Sequence, residues 1–139
     1  MAKKKKKVPA RVQMRRLAKK ADKALSLYVR ELTRQKYGKC PLCKTNPIQC
    51  CFHFIRRRRK ILRWDIRNVI GACHSDNYAE YRNPDPSRAF YIREFGADSY
   101  LALVDLSAQS FEPTAEFLQG IIDKYTDALK DITKEIPNA

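Results

Sequence analysis

The chain has 139 residues, which is room for one domain with a sizeable core and not for a second of similar size. With 29 Lys and Arg against 15 Asp and Glu the net charge is +14, while 44% apolar residues are enough to build a core, so the composition excludes a wholly disordered chain. The longest uncharged stretch, Thr45 to Ile55, is 11 residues and too short to cross a bilayer, so no membrane partner is expected.

The charge is divided along the chain. Residues 1–67 hold 23 of the basic side chains and three acids, Asp22, Glu31 and Asp65, a local charge of +20. Residues 68–139 hold 6 basic and 12 acidic side chains, a local −6. A half-molecule at +20 repels itself unless a polyanion is near, so nucleic acid is the expected partner, held through phosphate contacts and counterion release.

In chain order, residues 1–9 are a lysine run ended by Pro9 and are expected to be a disordered basic tail, with residues 10–139 forming a single domain. Residues 10–37 should form a basic helix: Leu17, Ala21, Leu25, Tyr28 and Leu32 recur at steps of four and three, and Gly38 supplies a stop.

Residues 38–83 carry the chemistry. Cys40-Pro-Leu-Cys43 is half of a zinc knuckle, two thiolates on a tight turn able to chelate one ion. Cys73-His-Ser-Asp76 offers the other half, with Asp76 where a second cysteine would stand. Asp76 is the favoured fourth ligand, and His74, Cys50 and Cys51 compete for the place. Five cysteines and no apolar block after the N-terminal lysines favour reduced thiols and a cytoplasmic location over a disulfide framework. Between the halves, residues 49–55 are dense in strand formers, placing Cys51, His53 and Ile55 on one face and Cys50, Phe52 and Phe54 on the other.

The block Arg56-Arg-Arg-Arg-Lys60, with Arg63 and Arg67, follows His53 closely and is expected in a loop between two strands as a phosphate clamp. Trp64 is either a stacking platform for a base or a core residue beside Ile61 and Leu62. Residues 84–139 are expected to be helical. Asn83-Pro-Asp-Pro86 breaks the chain, Ser87 can cap a helix to Phe95 before Gly96, and Asp98 can cap another through Leu106. A last helix from near Pro113 carries Leu118, Ile122, Tyr125, Leu129, Ile132 and Ile136 in a heptad stripe. That stripe is expected to pack on the N-terminal one within the chain, the alternative being a dimer seam.

His53, Asn68 and Asn77, set around paired cysteines, resemble the HNH or ββα-metal nucleases in the variant ending in Asn. The order of segments resembles the phage Rap/NinG recombination endonucleases over nearly the whole chain: residues 21–30, Cys-Pro-Leu-Cys, His53-Phe-Ile, residues 62–68, Cys73 to Asn77, Tyr81 and Phe95-Gly96. It is similar also to endonuclease VII-type Holliday junction resolvases, in which a Glu follows the metal-binding Asn by three residues, as Glu80 follows Asn77 here. The resemblance implies an α+β fold: a small ββα-metal core with a zinc knuckle, flanked by N- and C-terminal helices. It implies a metal-dependent endonuclease cutting branched DNA, such as Holliday junctions or D-loops, during recombination. His53 would be the general base, Asn68 would hold the hairpin so that the His53 ring is oriented, and Asn77 with Glu80 would bind catalytic Mg²⁺ or Mn²⁺. Zn²⁺ would be structural, at Cys40, Cys43, Cys73 and Asp76. Two coordinated nicks imply a homodimer, and a phage protein of this kind would work in the cytoplasm of the bacterial host. Two positions depart from the pattern. Asp76 replaces the usual cysteine, and Phe52 stands where the wider superfamily has a metal-binding Asp or His before the base. Two other readings fit the same residues: a non-catalytic zinc-braced nucleic-acid-binding protein, and an HNH nickase with another role such as DNA packaging.

Overall fold

The computed structural model describes residues 6–134; residues 1–5 of the expected tail and Ile136 of the C-terminal stripe lie outside them. The described elements are α1 (Ala10–Tyr37), β1 (Cys50–His53), α2 (Lys60–Arg63), β2 (Val69–Ala72), α3 (His74–Ala79), α4 (Asp85–Phe95), α5 (Ala97–Ser107) and α6 (Ala115–Lys134), with a 3₁₀ turn at Ile66–Asn68. The fold is α+β, mostly helical, around one two-stranded sheet.

The sheet is the middle layer. β1 and β2 pair antiparallel, with Cys51 opposite Gly71 and His53 opposite Val69. Alternation along the strands sends Phe52, Ile70 and Ala72 to one side, where Phe54, Leu62, Phe90, Tyr91 and Leu103 complete a core with α4 and α5. Val69 points to the other side and joins Leu25, Val29, Trp64, Leu118 and Tyr125 in a second core under α1 and α6. Two strands alone would be marginal in water; two apolar cores hold these in place.

α1 and α6 pack on each other within the chain, with Tyr28 stacked on Tyr125 at 5.5 Å between ring centroids. On α6, Leu118 and Tyr125 are buried, and Ile122, Leu129 and Ile132 are half-buried. On α1 the buried set is Ala21, Ala24, Leu25, Val29 and Thr33, while Leu32 of the expected stripe is exposed. The C-terminal half of α1 faces β2 as well as α6, and this second neighbour turns Val29 and Thr33 inward. Thr33 donates to the Val29 carbonyl at 2.7 Å and accepts from the Gly71 amide at 2.8 Å, tying helix to sheet. A Cβ on Gly71 would lie 2.7 Å from Ile48 Cγ2 and 3.0 Å from Thr33, so only glycine permits this approach.

Three local expectations change. The segment between the strands is not a plain loop but contains α2 and the 3₁₀ turn. α4 starts at Asp85 instead of after Ser87; Ser87 is buried and its hydroxyl donates to the Pro84 carbonyl, while Asn83 accepts from the Asp85 amide. Asp98 lies in the first turn of α5 without capping it, and Thr114, not Pro113, begins α6 by accepting from the Phe117 amide. No helix among the described residues is long and apolar enough to cross a membrane.

Candidate metal cluster and nucleic-acid cleft

The Cys40–Cys43 turn follows α1 directly. Its backbone is closed by the Lys44 amide donating to the Cys40 carbonyl at 2.8 Å and the Cys40 amide to the Asn46 carbonyl at 2.9 Å. Lys44 takes a positive φ of 64°, which brings the chain round so that the Asn46 amide donates to Cys43 Sγ. The second pair sits where β2 gives way to α3: Cys73 is the residue before the helix, and its sulfur accepts from the Asp76 amide. Sequence positions some 30 apart thus meet, with Cys43 Sγ 3.9 Å from Cys73 Sγ.

One ligand atom each from Cys40, Cys43, Cys73 and Asp76 lies within 4.8 Å of all the others, a cluster that could hold a metal ion. Tetrahedral zinc with thiolates at its ordinary bond length separates sulfurs by ~3.8 Å, so the Cys43–Cys73 spacing fits without rearrangement. Asp76 Oδ2 lies 3.1 Å from both Cys40 Sγ and Cys73 Sγ and occupies the fourth corner. Burial pushes the Cys40 thiol up to about 12. The Thr45 side chain lowers Cys43 by hydrogen bonding. Burial opposes ionisation of Asp76, but hydrogen bonds from Cys73, Cys40 and Cys43 outweigh it and hold its carboxyl below the usual range. A bound cation would replace those protons and ionise the thiols. The competitors stand elsewhere. Cys50 Sγ donates to the Ala72 carbonyl, Cys51 is pushed up to about 12 by burial against the α1 side, and His74 is exposed.

Beside this cluster a cleft of about 650 Å³ opens between α1, the start of the β1–β2 connection and α3. His53, Asn77 and Glu80 all line it, with Arg56, Arg57 and Arg58. His53 Nε2 donates to the Arg63 carbonyl at 2.9 Å, which leaves Nδ1 as the ring's acceptor. Burial lowers the His53 pKa below its ordinary value, and Arg57 adds to the effect, so the ring is neutral at pH 7. Asn77 and Glu80 lie one turn apart, and neither side chain has a hydrogen-bond partner among the described residues.

Asn68 is fully buried away from this opening. Its Oδ1 accepts from the Ile55 amide at 2.8 Å, and its Nδ2 donates to the carbonyls of Ile55 and Leu62 at 2.8 and 3.2 Å. It therefore holds the connection that carries Arg56 to Arg63.

The seven expected phosphate-binding residues separate into three that are ion-paired, three at the cleft, and Arg59 apart from both. Lys60 is paired with Glu112, Arg63 with Asp22 and Arg67 with Asp65. Arg59 is exposed at the start of α2, leaving Arg56, Arg57 and Arg58 at the cleft. Trp64 is a core residue: it is buried, its ring meets Phe117, and the Arg63 guanidinium lies over it at 4.8 Å. Sequence reasoning overlooked Asp22, Lys23 and Tyr81 as cleft residues. The signal for Asp22 was available, since it is one of only two acids, with Glu31, in a helix of bases.

No protein-family model, curated protein or solved structure matches this chain.

Proposed function

We propose that this protein is a metal-dependent DNA endonuclease of the ββα-metal type, acting on branched DNA with His53 as general base. The observation that carries the reading is the convergence of His53, Asn77 and Glu80 in one cleft walled by Arg56, Arg57 and Arg58. Phosphodiester hydrolysis needs those three kinds of group together: a base, donors for a cation, and positive charge for the phosphates.

Neutral imidazole is suited to take a proton from water, and the free Nδ1 of His53 is the atom that receives it. Asn77 and Glu80 supply hard oxygen donors, the kind Mg²⁺ and Mn²⁺ accept. A cation held there would neutralise the charge that builds on the scissile phosphate and leaving oxygen. Arg56, Arg57 and Arg58 bind flanking phosphates, for which the guanidinium fork is well shaped. Cys40, Cys43, Cys73 and Asp76 would hold structural Zn²⁺, bracing the end of α1 against the start of α3.

The described elements include no separate base-reading module, so within them shape is a better basis for recognition than base reading, which favours branched over linear substrates. Two nicks on one junction require two copies, so a homodimer is part of the proposal. The α1 and α6 stripes are buried on each other within the chain, and the pairing surface lies elsewhere.

The test is His53→Ala with a four-way junction and Mg²⁺. Nicking should fall by at least about 100-fold, within the range for loss of a general base, while junction binding is retained. Undiminished cutting would remove His53 from the role. Tight, salt-sensitive binding by the wild-type protein with no cutting of linear, flap or four-way DNA would leave a non-catalytic nucleic-acid-binding protein.

A further inference from the structure

The acids of the basic half are few, and the least exposed of their ion pairs joins two distant elements. Asp22, midway along α1, takes Arg63 in a fork: Nε donates to Oδ1 at 3.0 Å and Nη2 to Oδ2. The two side chains are 26% and 18% exposed, so the pair is sheltered more than the surface pairs Lys60–Glu112 and Arg88–Asp85. Arg63 ends α2, a helix of four residues that cannot hold its own position by helix propensity. Its carbonyl is one of the acceptors left open at a helix end, and it is this oxygen that accepts the hydrogen bond from His53 Nε2–H.

We infer that Asp22 is a positioning residue for His53, acting through Arg63 to fix the imidazole as the Nε2–H tautomer with Nδ1 turned to the cleft. A carbonyl oxygen only accepts, so a fixed Arg63 carbonyl requires the proton on Nε2. The carbonyl stays in place because the side chain of the same residue is clamped to α1. Asp22 itself lines the cleft beside His53, so α1 supplies part of the wall and the anchor of the proposed base. This inference rests on the nuclease reading for its consequence in catalysis, but not for its structural content.

The test reads the ring directly. The chain has two histidines, and His74, exposed at the same cleft, is the internal control. In long-range ¹H–¹⁵N spectra of the full-length, zinc-loaded protein, His53 should show the Nε2–H pattern in the wild type. In Asp22→Ala it should become an exchanging tautomer mixture, with the His74 signals unchanged. If that variant does not fold, Asp22→Asn, equal in size and uncharged, carries the same test. Persistence of a pure Nε2–H tautomer in a folded Asp22 variant overturns the inference. The second readout is cleavage: Asp22→Asn should lower kcat for junction nicking by up to about 100-fold with KM no higher, because removing an acid cannot weaken phosphate binding. An Asp22 variant with wild-type kcat overturns the inference. A wild-type protein that cuts nothing overturns the nuclease reading instead, and leaves the tautomer result to decide for Asp22.

Discussion

Two side chains that a motif reading treats alike do different work here. His53 faces the cleft with one nitrogen held and the other open, whereas Asn68 makes three hydrogen bonds inside the protein and reaches no opening. Asn68 is thus fully committed to the backbone of Ile55 and Leu62, and its part in any reaction is to hold the connection in shape. For His53 the direction of its pKa shift has a measurable consequence. Burial favours the neutral ring, so the base form survives to lower pH than that of an ordinary histidine near 6.5. Arg57 and the Arg63 side chain act in the same direction, while Asp22 and the hydrogen bond to the Arg63 carbonyl act against it. The acid limb of kcat/KM for junction nicking should therefore have its midpoint below about pH 6.5, with activity lost only as pH falls through the lowered value. A midpoint above 6.5 would show that His53 is not the titrating base.

At the scale of elements, the cysteine cluster fastens three pieces: the end of α1, the turn after it and the first turn of α3. α3 has six residues and none of them is buried, so little else fixes it. Removing a bound zinc with a strong chelator should lower Tm and, by hydrogen exchange, release α3 and residues 40–49 before the β1–β2 pair. Equal loss of protection throughout would show the cluster to be no local brace. Much of this level was legible beforehand. The cysteine spacing located the cluster, including Asp76, because ligands must recur near one another on tight turns whatever surrounds them. The heptad stripe of α6 and the glycine after α1 were likewise readable, since a helix records its buried face in its period. What escaped were features set by tertiary neighbours. Leu32 yields to Thr33 because β2 lies against that side of α1, and α2 is too short to leave a periodic signal. Arg63 and Arg67 look the same as Arg56 in sequence, and only the fold reveals that Asp22 and Asp65 already hold them.

Across the whole molecule, the charge division acquires a direction. All three acids of the basic half are tied to arginines, Asp22 to Arg63, Glu31 to Arg34 and Asp65 to Arg67. The positive field at the cleft is consequently left to Arg56, Arg57 and Arg58, with Lys23 on the α1 side. Replacing the three arginines by alanine should reduce the slope of log K against log salt for junction binding by as much as about 2.7, near 0.9 for each phosphate no longer neutralised. Replacing Lys3 to Lys7 should change it less. Equal effects would spread the DNA-binding surface over the tail.

The union of α1 with α6 joins helices from opposite ends of the described chain, and α1 is also a wall of the cleft. During synthesis α1 emerges before α6 and waits for its partner until α2 to α5 have been made. Such long-range closure is slow, because the intervening chain must be brought together before any packing between the helices stabilises it. The hairpin and cysteine turn can form earlier, but the cleft gains its α1 side only when α6 docks. Pulse-labelled hydrogen exchange during refolding should accordingly find α1 and α6 protected together and last, so that the cleft is the final part of the described fold to mature.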